Sequence, residues 1–417
     1  MRVLIVNTSD KTGGAAVAAS RLTEALINNG ISAKMLVFTK SSDNIYVTSL
    51  GGWLKKKWCF LFERFVIWLN NMFSRKNLFA VSIANTGFDI TKTREFKEAD
   101  VVHLHWVNQG MLSLGAIRKI MQSGKPVVWT MHDMWEMTAI CHHAHTCTSY
   151  ETECRYCPFL RFPRQNDLAA SVFRDKCKCM SGDAVFVAVS NWLAEKARKS
   201  SLLKDRRIEV IPNSISLSRF IIKNKIESRD YFKIGGNRQV VVFGAARVDA
   251  PIKGFHYLKT ALQILVKRRP NMKDSLVLVV YGGCKDVDIF KDMPVRHQWL
   301  GMVKDDMELV RLYSASDVVV SSSLYETFGQ TLIEAQACGC VPVSFDNSGQ
   351  KDIITHKSNG YLARYQSADD LASGIEWALQ ADIKREDLRR NVLRNFSEGI
   401  VANRYIKLYG EITKTDI

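Results

Sequence analysis

The chain has 417 residues, of which 47% are hydrophobic and 24% charged, and its formal net charge is +16. These values are typical of a globular protein with two or three domains, and the charge predicts an anionic partner such as nucleic acid, acidic lipid or a phosphorylated metabolite. No uncharged apolar run approaches the roughly 20 residues that span a bilayer, which excludes a transmembrane chain. The first residues, MRVLIVNTS, show no charged leader or cleavage site, so we expect a cytoplasmic protein without a secretory signal.

In the first half of the chain, apolar strands alternate with helical patterns. The predicted strands read RVLIVNT, SAKMLVFT, ADVVHLHW, KPVVWTMH, AVFVAVS and RIEVIPNS. After the first strand, the small-residue loop TSDKTGGAAVAAS opens a helix. Gly13 and Gly14 would allow backbone N–H groups to approach a ligand closely, and the start of a helix favours an anion. A tight turn without a ligand explains the same residues equally well.

Residues 53–76, WLKKKWCFLFERFVIWLNNMFSRK, are both aromatic and basic. On a helix one face would carry Leu54, Trp58, Leu61, Phe65, Leu69 and Met72, with Lys55, Lys56, Arg64, Asn71 and Arg75 elsewhere. Such a helix suits the interface of an acidic membrane, with its aromatic rings at the headgroups. A helix packed on its own domain is the alternative. We expect peripheral contact with the inner face of the plasma membrane.

The strand VVWTMH ends in His132 and Asp133, and a cysteine-rich segment follows it. A histidine at this position suits hydrogen-bonded structure, a metal ligand or a contact to a polar substrate, and we favour substrate contact. Cys141, Cys147, Cys154 and Cys157 follow the pattern C-x5-C-x6-C-x2-C, which suits a closed structural zinc site. The alternatives are a ligand from His142, His143 or His145, or four unmetallated thiols.

A second series of strands follows the charged stretch 219–238: QVVVFGAA, SLVLVVYGG, HQWLGMV, DVVVSSS and CVPVSF. Near-continuous Val, Leu and Ile runs are typical of parallel strands covered by helices on both faces. We therefore predict an α/β fold of two doubly wound domains joined near residues 213–235. The last helical pattern, VANRYIKLYGEI, should pack as a terminal helix.

Two loops at strand ends in this second half carry chemistry. RVDAPIKGF places Arg247 and Lys253 where they could clamp a diphosphate, although surface cations are common in so basic a chain. SLYETFGQTLIEAQACGCVPV places Glu326 before a helix and Glu334 inside it, with the helix start between them. That arrangement suits a ligand with an anionic middle and hydroxyl-rich ends, but surface acids on an ordinary strand–loop–helix unit are the plainer interpretation.

Together these segments resemble the family 4 retaining glycosyltransferases. The resemblance rests on the E-x7-E motif ETFGQTLIE and, in the expected order, on GGA, HDMW, VAVSNWLAEKA, VIPNSIS and FGAARVDAPIKGF. It implies the GT-B fold, two Rossmann-like domains facing a cleft. The N-terminal, acceptor-side domain would comprise residues 1–215 plus a returning helix at about 400–417, and the donor domain residues 216–399. Two features depart from the family pattern: the six-residue Arg247 to Lys253 spacing, and Gln330 where Leu is frequent.

Residue roles follow from the resemblance alone. Arg247 and Lys253 resemble the pair that binds the donor diphosphate, Glu326 the acid that contacts the transferred sugar, and Glu334 the acid that holds the ribose. The amides of Phe328, Gly329, Gln330, Thr331 and Leu332 would meet the phosphates and sugar. His132 resembles a residue near the donor sugar. Gly13 and Gly14 resemble the loop near the acceptor side of the cleft, and we include them among the expected donor-binding residues. The implied reaction needs no metal cofactor.

The sequence therefore predicts a hexosyltransferase-type, retaining enzyme that moves a sugar from a nucleotide-sugar donor to a glycan, carried by a lipid, in bacterial surface polysaccharide synthesis. A sugar phosphorylase or nucleotide-sugar epimerase is an alternative enzyme class. A zinc-containing nucleic-acid binder is disfavoured because the basic residues are dispersed and the cysteine segment contains Glu151 and Glu153. We expect no nucleic-acid partner.

Overall fold

The computed structural model describes residues 1–180, 182–303 and 305–414. They form two compact α/β units, one of Met1–Ser214 with the segment from Val401, and one of Ile215–Ile400. Each unit contains one parallel sheet with helices around it, so the predicted pair of doubly wound domains is confirmed.

The first unit has a seven-stranded sheet in the order β3-β2-β1-β4-β5-β6-β7, with every neighbouring pair parallel. Its strands are β1 (Arg2–Ser9), β2 (Ser32–Thr39), β3 (Val47–Ser49), β4 (Val101–Leu104), β5 (Val127–Met131), β6 (Ala184–Ala188) and β7 (Ile208–Val210). Its helices are α1 (Gly14–Asn28), α2 (Trp53–Asn70), α3 (Arg94–Glu98), α4 (Leu114–Met121), α5 (Leu168–Cys179) and α6 (Asn191–Lys199). Strands β4, β5 and β6 are buried at every position, which explains their continuous apolar runs.

The second unit has a six-stranded parallel sheet in the order β10-β9-β8-β11-β12-β13. Its strands are β8 (Gln239–Arg247), β9 (Leu276–Gly283), β10 (Arg296–Trp299), β11 (Val318–Ser321), β12 (Val341–Phe345) and β13 (Tyr361–Ala363). Its helices are α7 (Lys225–Tyr231), α8 (Phe255–Arg268), α9 (Met272–Ser275), α10 (Asp306–Ala315), α11 (Gln330–Ala337), α12 (Ala368–Gln380) and α13 (Arg385–Phe396). The strand order reverses between β8 and β11, and ligands of such sheets bind beyond the carboxyl ends of the strands at this point.

The terminal helix α14 (Glu398–Thr413) packs on the core of the first unit. Its Tyr409 hydroxyl lies 2.6 Å from Nδ1 of the fully buried His103 in β4, while Nε2 of that ring lies 2.8 Å from the Thr130 hydroxyl. Tyr405 adds a contact of 2.9 Å to the same Thr130 hydroxyl. Both ring nitrogens of His103 are therefore paired, and the helix is fixed to the sheet by polar contacts as well as by apolar packing.

Helix α2 presents its apolar side to solvent. Ten large apolar side chains of α2 and the residues after it are exposed, and we call them the aromatic patch: Trp53, Leu54, Trp58, Leu61, Phe62, Phe65, Leu69, Met72, Phe73 and Phe79. The side facing the protein carries the buried ion pair Glu63–Arg64 beside the buried Cys59 and Ile67. Glu63 Oε1 accepts from the amides of Ile83 and Ala84, so the docked face of this helix is partly polar.

Two details of the predicted helix 53–76 are wrong. The helix ends at Asn70, because Met72 and Phe73 adopt left-handed backbone angles of φ 48° and 61°. Arg64 is buried and donates to the Leu78 and Val81 carbonyls, so it is not one of the surface cations. Within the described residues, no helix combines the length and apolarity that a membrane crossing requires.

The His103 network makes the first unit sensitive to acid. Burial lowers the pKa of His103 from its ordinary 6.5 to about 3, so the unfolded chain binds this proton more readily at pH values between the two. The stabilisation is complete above pH 6.5 and is lost as the pH falls. Between pH 7 and pH 5, this one histidine should cost about 2 kcal/mol of unfolding free energy.

Chemical denaturation of wild type, His103→Gln and His256→Gln at pH 7 and pH 5 tests this expectation. The exposed His256 is the matched control, and its variant should lose as much stability as wild type over this range. The His103→Gln protein should lose distinctly less, whatever its stability at pH 7. Equal losses in all three proteins would contradict the assignment.

Candidate functional site

In the second unit, the E-x7-E segment forms the predicted strand–loop–helix element. Glu326 lies in the loop after β11, and Glu334 lies inside α11, where its side chain is almost fully buried. The helix starts after Gly329, which adopts φ +111°, a backbone conformation that side chains disfavour. The element thus turns sharply between the two acids.

The loop after β8 and the loop after β11 meet at the point where the strand order reverses. Lys253 Nζ donates to Glu326 Oε2 at 2.8 Å, and both side chains are about a quarter exposed. Ser322 Oγ donates to the Gly254 carbonyl at 2.9 Å, and a Cβ on Gly254 would lie 2.1 Å from the Ser322 carbonyl oxygen. Since β8 and β11 are neighbours in the sheet, the predicted proximity of these loops follows directly from the topology.

Arg247 ends β8 and forms an ion pair with Asp249, with 2.7 Å between Nη2 and Oδ2. The arginine contact lowers the pKa of the Asp249 carboxyl to about 2, so the pair is charged at neutral pH. The guanidinium is half exposed and has further N–H groups that can donate to a ligand. In this structure, each of the two predicted diphosphate-binding cations is therefore held by a carboxylate.

The residues around the start of α11 contribute differently. Phe328 and Leu332 are buried, and Phe328 packs on Phe396 with 5.7 Å between ring centroids, so only their backbones could meet a ligand. Gln330 and Thr331 are partly exposed in the first turn of the helix.

Sequence reasoning missed two tyrosines behind Glu334. The Tyr313 hydroxyl donates to Glu334 Oε2 at 3.4 Å, and the Tyr281 hydroxyl lies 2.5 Å from that of Tyr313. Burial raises the pKa of both phenols, so they stay protonated and can donate. They lie on α10 and β9, and no spacing in the sequence links them to α11. This chain of hydroxyls fixes the orientation of the Glu334 carboxylate.

In the first unit, Gly13 and Gly14 lie at the start of α1 and His132 follows β5, as predicted. Gly13 is the helix cap, with φ +92°. His132 Nε2 lies 2.8 Å from Nδ1 of the buried His105. Desolvation lowers the pKa of His132 to about 4 against the opposing effect of Asp133, so the ring is neutral at neutral pH and can form hydrogen bonds without carrying charge.

Asp133 organises the loop beside His132. Its Oδ2 accepts from Trp106 Nε1 at 2.8 Å and lies 2.8 Å from His142 Nδ1, while His142 Nε2 lies 3.1 Å from the Ser82 hydroxyl. This Ser–His–Asp arrangement resembles a nucleophilic triad, but Ser82 is fully buried and no substrate could reach it. We assign these contacts to the support of the loop.

Two family models together match most of the chain. The model described as "Glycosyltransferase Family 4" matches residues 12–219, and the model described as "Glycosyl transferases group 1" matches residues 225–394. The boundary between the matches falls just after the first unit, so each unit carries one of the two family signatures.

Among curated proteins, the chain is 29% identical over 245 residues to N,N'-diacetylbacillosaminyl-diphospho-undecaprenol alpha-1,3-N-acetylgalactosaminyltransferase of Campylobacter jejuni. It is 23% identical over 240 residues to the capsular polysaccharide biosynthesis glycosyltransferase CapM of Staphylococcus aureus. Each alignment covers 55% of this chain, and they span 60% and 62% of the respective relatives.

Solved structures with the same fold cover nearly the whole chain. Sucrose-phosphate synthase from Thermosynechococcus elongatus matches with a TM-score of 0.69 at 17% identity, over 99% of both chains. Anabaena HepE in complex with UDP and glucose matches with a TM-score of 0.62 at 15% identity, over 99% of this chain and 100% of that one. These likenesses establish the two-domain GT-B fold. With both family models matched in order, the chain belongs to glycosyltransferase family 4.

Proposed function

We propose that this glycosyltransferase takes its sugar from a nucleotide-sugar donor bound at the carboxyl ends of β8 and β11. The observation that carries the proposal is the convergence of Lys253, Glu326 and the start of α11 on the reversal point of the second sheet. A nucleoside diphosphate needs cations and N–H donors for its phosphates and an acceptor for its ribose hydroxyls. The solved HepE complex contains UDP and glucose, which supports the same ligand class here.

Glu334 is the residue we assign to the ribose. Its carboxylate is nearly buried and is oriented by the Tyr313 hydroxyl. A fixed, buried carboxylate favours ligands that bring hydroxyl donors, because a ligand lacking them would displace water without replacing its hydrogen bonds to the carboxylate.

Glu326 and Lys253 are assigned to the sugar and the diphosphate. Their ion pair holds the two side chains in place. A bound diphosphate would draw Lys253 towards the phosphates, and the Glu326 oxygen that accepts from Lys253 would then accept from a sugar hydroxyl. The Arg247 guanidinium would donate both to Asp249 and to the phosphates. Arg247, Lys253 and the start of α11 would together stabilise the leaving nucleoside diphosphate. These protein groups, rather than a metal ion, would neutralise the negative charge of the leaving diphosphate.

We propose retention of anomeric configuration, by substitution on one face of the sugar through an oxocarbenium-like transition state. The support is membership of the family together with the roles assigned above. His132 would present an uncharged ring that can form hydrogen bonds, since desolvation lowers its pKa.

The proposed acceptor is a lipid-linked glycan of bacterial surface polysaccharide synthesis. The Campylobacter relative is named for a diphospho-undecaprenol acceptor, and the Staphylococcus relative for capsular polysaccharide biosynthesis. The aromatic patch supports such an acceptor, because an enzyme that acts on a lipid-linked glycan must work at a membrane surface.

The occupant we propose for the aromatic patch is the acidic inner surface of the plasma membrane. Trp53 and Leu54 are 70% and 72% exposed, and the exposed Lys55 and Lys57 lie on the same helix. Arg75 and Lys76 add two exposed cations after it. Exposed cations on the same helix and turn as an apolar patch match the chemistry of anionic headgroups above acyl chains.

Donor class is tested by nucleotide release from UDP-, GDP-, ADP- and dTDP-sugars, in parallel with nucleotide protection against thermal unfolding. One donor should be hydrolysed slowly by wild type. Glu334→Ala should lower this activity at least about tenfold, because the loss of two charge-assisted hydrogen bonds costs about 1.5–3 kcal/mol each.

Glu386→Ala is the matched control, since Glu386 is an exposed acid of the same unit. It should leave both release and protection unchanged. If no nucleotide protects wild type from thermal unfolding and none is released, the donor site proposed here is wrong.

Membrane contact is tested by co-sedimentation with vesicles of phosphatidylcholine alone and with added phosphatidylglycerol. Wild type should bind the acidic vesicles and be released by salt. The triple variant Trp53→Ser, Trp58→Ser, Phe65→Ser should partition at least about tenfold less, since it removes three exposed rings from the surface that would enter the headgroups.

The control carries Ile226→Ser and Tyr231→Ser, which remove exposed apolar side chains of the second unit. It should sediment as wild type does. Equal binding of the triple variant would contradict the proposal, as would a stable dimer in lipid-free solution that dissociates only in that variant.

A further inference from the structure

The four cysteines of the segment after β5 surround one small cavity. Cys141, Cys147, Cys154 and Cys157 all line a cavity of about 20 Å³. The rest of its wall is mostly apolar and includes Ala139, Ile140 and Phe159. A cavity of this size holds a single small species, and four thiols are the donor set that zinc prefers.

The histidines that could have replaced a cysteine do not line this cavity. Both ring nitrogens of His142 are engaged, by Asp133 and by the Ser82 hydroxyl. The His145 ring stacks on the Phe159 ring with 5.7 Å between their centroids. The structure thus separates the cysteines from the histidines that the sequence left as alternatives.

Backbone hydrogen bonds hold the turn that carries Cys154 and Cys157. The Tyr156 amide donates to the Arg164 carbonyl at 3.0 Å, and the Leu160 amide donates to the Cys157 carbonyl at 3.1 Å. The turn is further fixed by the Cys157 amide, which donates to Asp167 Oδ2 at 2.8 Å.

A buried lysine supports the residues just before the cluster. Lys176 of α5 is fully buried, and its Nζ donates to the carbonyls of Trp135 and Thr138 at 2.5 and 3.0 Å. Thr138 lines the cavity, so this contact fixes one part of the cavity wall.

The segment has little secondary structure of its own. Residues 138–167 contain a single short 3-10 helix, Ser149–Glu151, and so form a long irregular insertion in a compact unit. Loops of this length without their own secondary structure are uncommon unless something fixes them. All ten cysteines are free thiols, so no disulfide does so.

We propose that Cys141, Cys147, Cys154 and Cys157 close around one structural Zn²⁺ and fix the loop that follows His132. Across the part of the chain that the structure describes, no three Cys, His, Asp or Glu side chains already stand as a preformed ligand set. Binding therefore requires the thiols to turn inward from the cavity wall, with loss of their protons to solvent as four Zn–S bonds form. The set leaves no open position for catalysis.

The first test is the zinc content of the full chain purified without chelator. We expect about one zinc per chain, released to a chromogenic indicator only when an organomercurial has reacted with the cluster thiols. The double variant Cys154→Ser, Cys157→Ser should retain less than about a tenth of this zinc. The control Cys177→Ser, Cys284→Ser changes two thiols outside the cavity and should retain all of it.

A second measurement on unmutated protein covers the case in which the cluster variant does not fold. Co²⁺ replacement should give intense thiolate-to-cobalt absorption, and Cys147 and Cys154 should resist alkylation until a strong chelator is added. Wild type without zinc after reconstitution, or metal that gives no thiolate absorption, would overturn the proposal.

Discussion

Two neighbouring parallel strands, β8 and β11, set the chemistry of the second unit. Because they pair directly, the loops after them leave the sheet at the same edge, and Lys253 and Glu326 meet at 2.8 Å. The Ser322 hydroxyl and the close approach of Gly254 join the loops behind that contact. Every role proposed for the donor site depends on this shared edge, since without it the cations and the start of α11 would act on different regions of space.

The sequence predicted the sheets well because buried parallel strands read as continuous apolar runs. Strands β3 and β13, of three residues each, were missed, whereas the equally short β7 was predicted from RIEVIPNS. Glu326 and Glu334 were placed correctly because the helix start between them is marked by glycine and by apolar spacing. The contacts of Tyr281 and Tyr313 behind Glu334 could not be predicted from the sequence, because only the folded unit brings these residues together.

Helix α2 shows a second limit of sequence reasoning. Periodicity identifies two faces of a helix but not which face meets the protein. Here the ion pair Glu63–Arg64 is docked, with its charges met by backbone groups, and the aromatic side remains outside. Cys59 and Ile67 are buried beside the ion pair, so the docked face combines polar and apolar groups, which the periodicity alone did not reveal.

The central claim is that Glu334 binds the ribose and Glu326 binds the transferred sugar. Binding of the nucleoside diphosphate tests this claim directly. Once the donor class is known, the Kd of the sugar-free nucleoside diphosphate would be measured by calorimetry for wild type, Glu334→Gln and Glu326→Gln. The account predicts at least about tenfold weaker binding for Glu334→Gln, which loses the ribose contact. Glu326→Gln should bind as tightly as wild type or more tightly, because Lys253 is released from its ion pair. Equal weakening in both variants, or weakening confined to Glu326→Gln, would contradict the account.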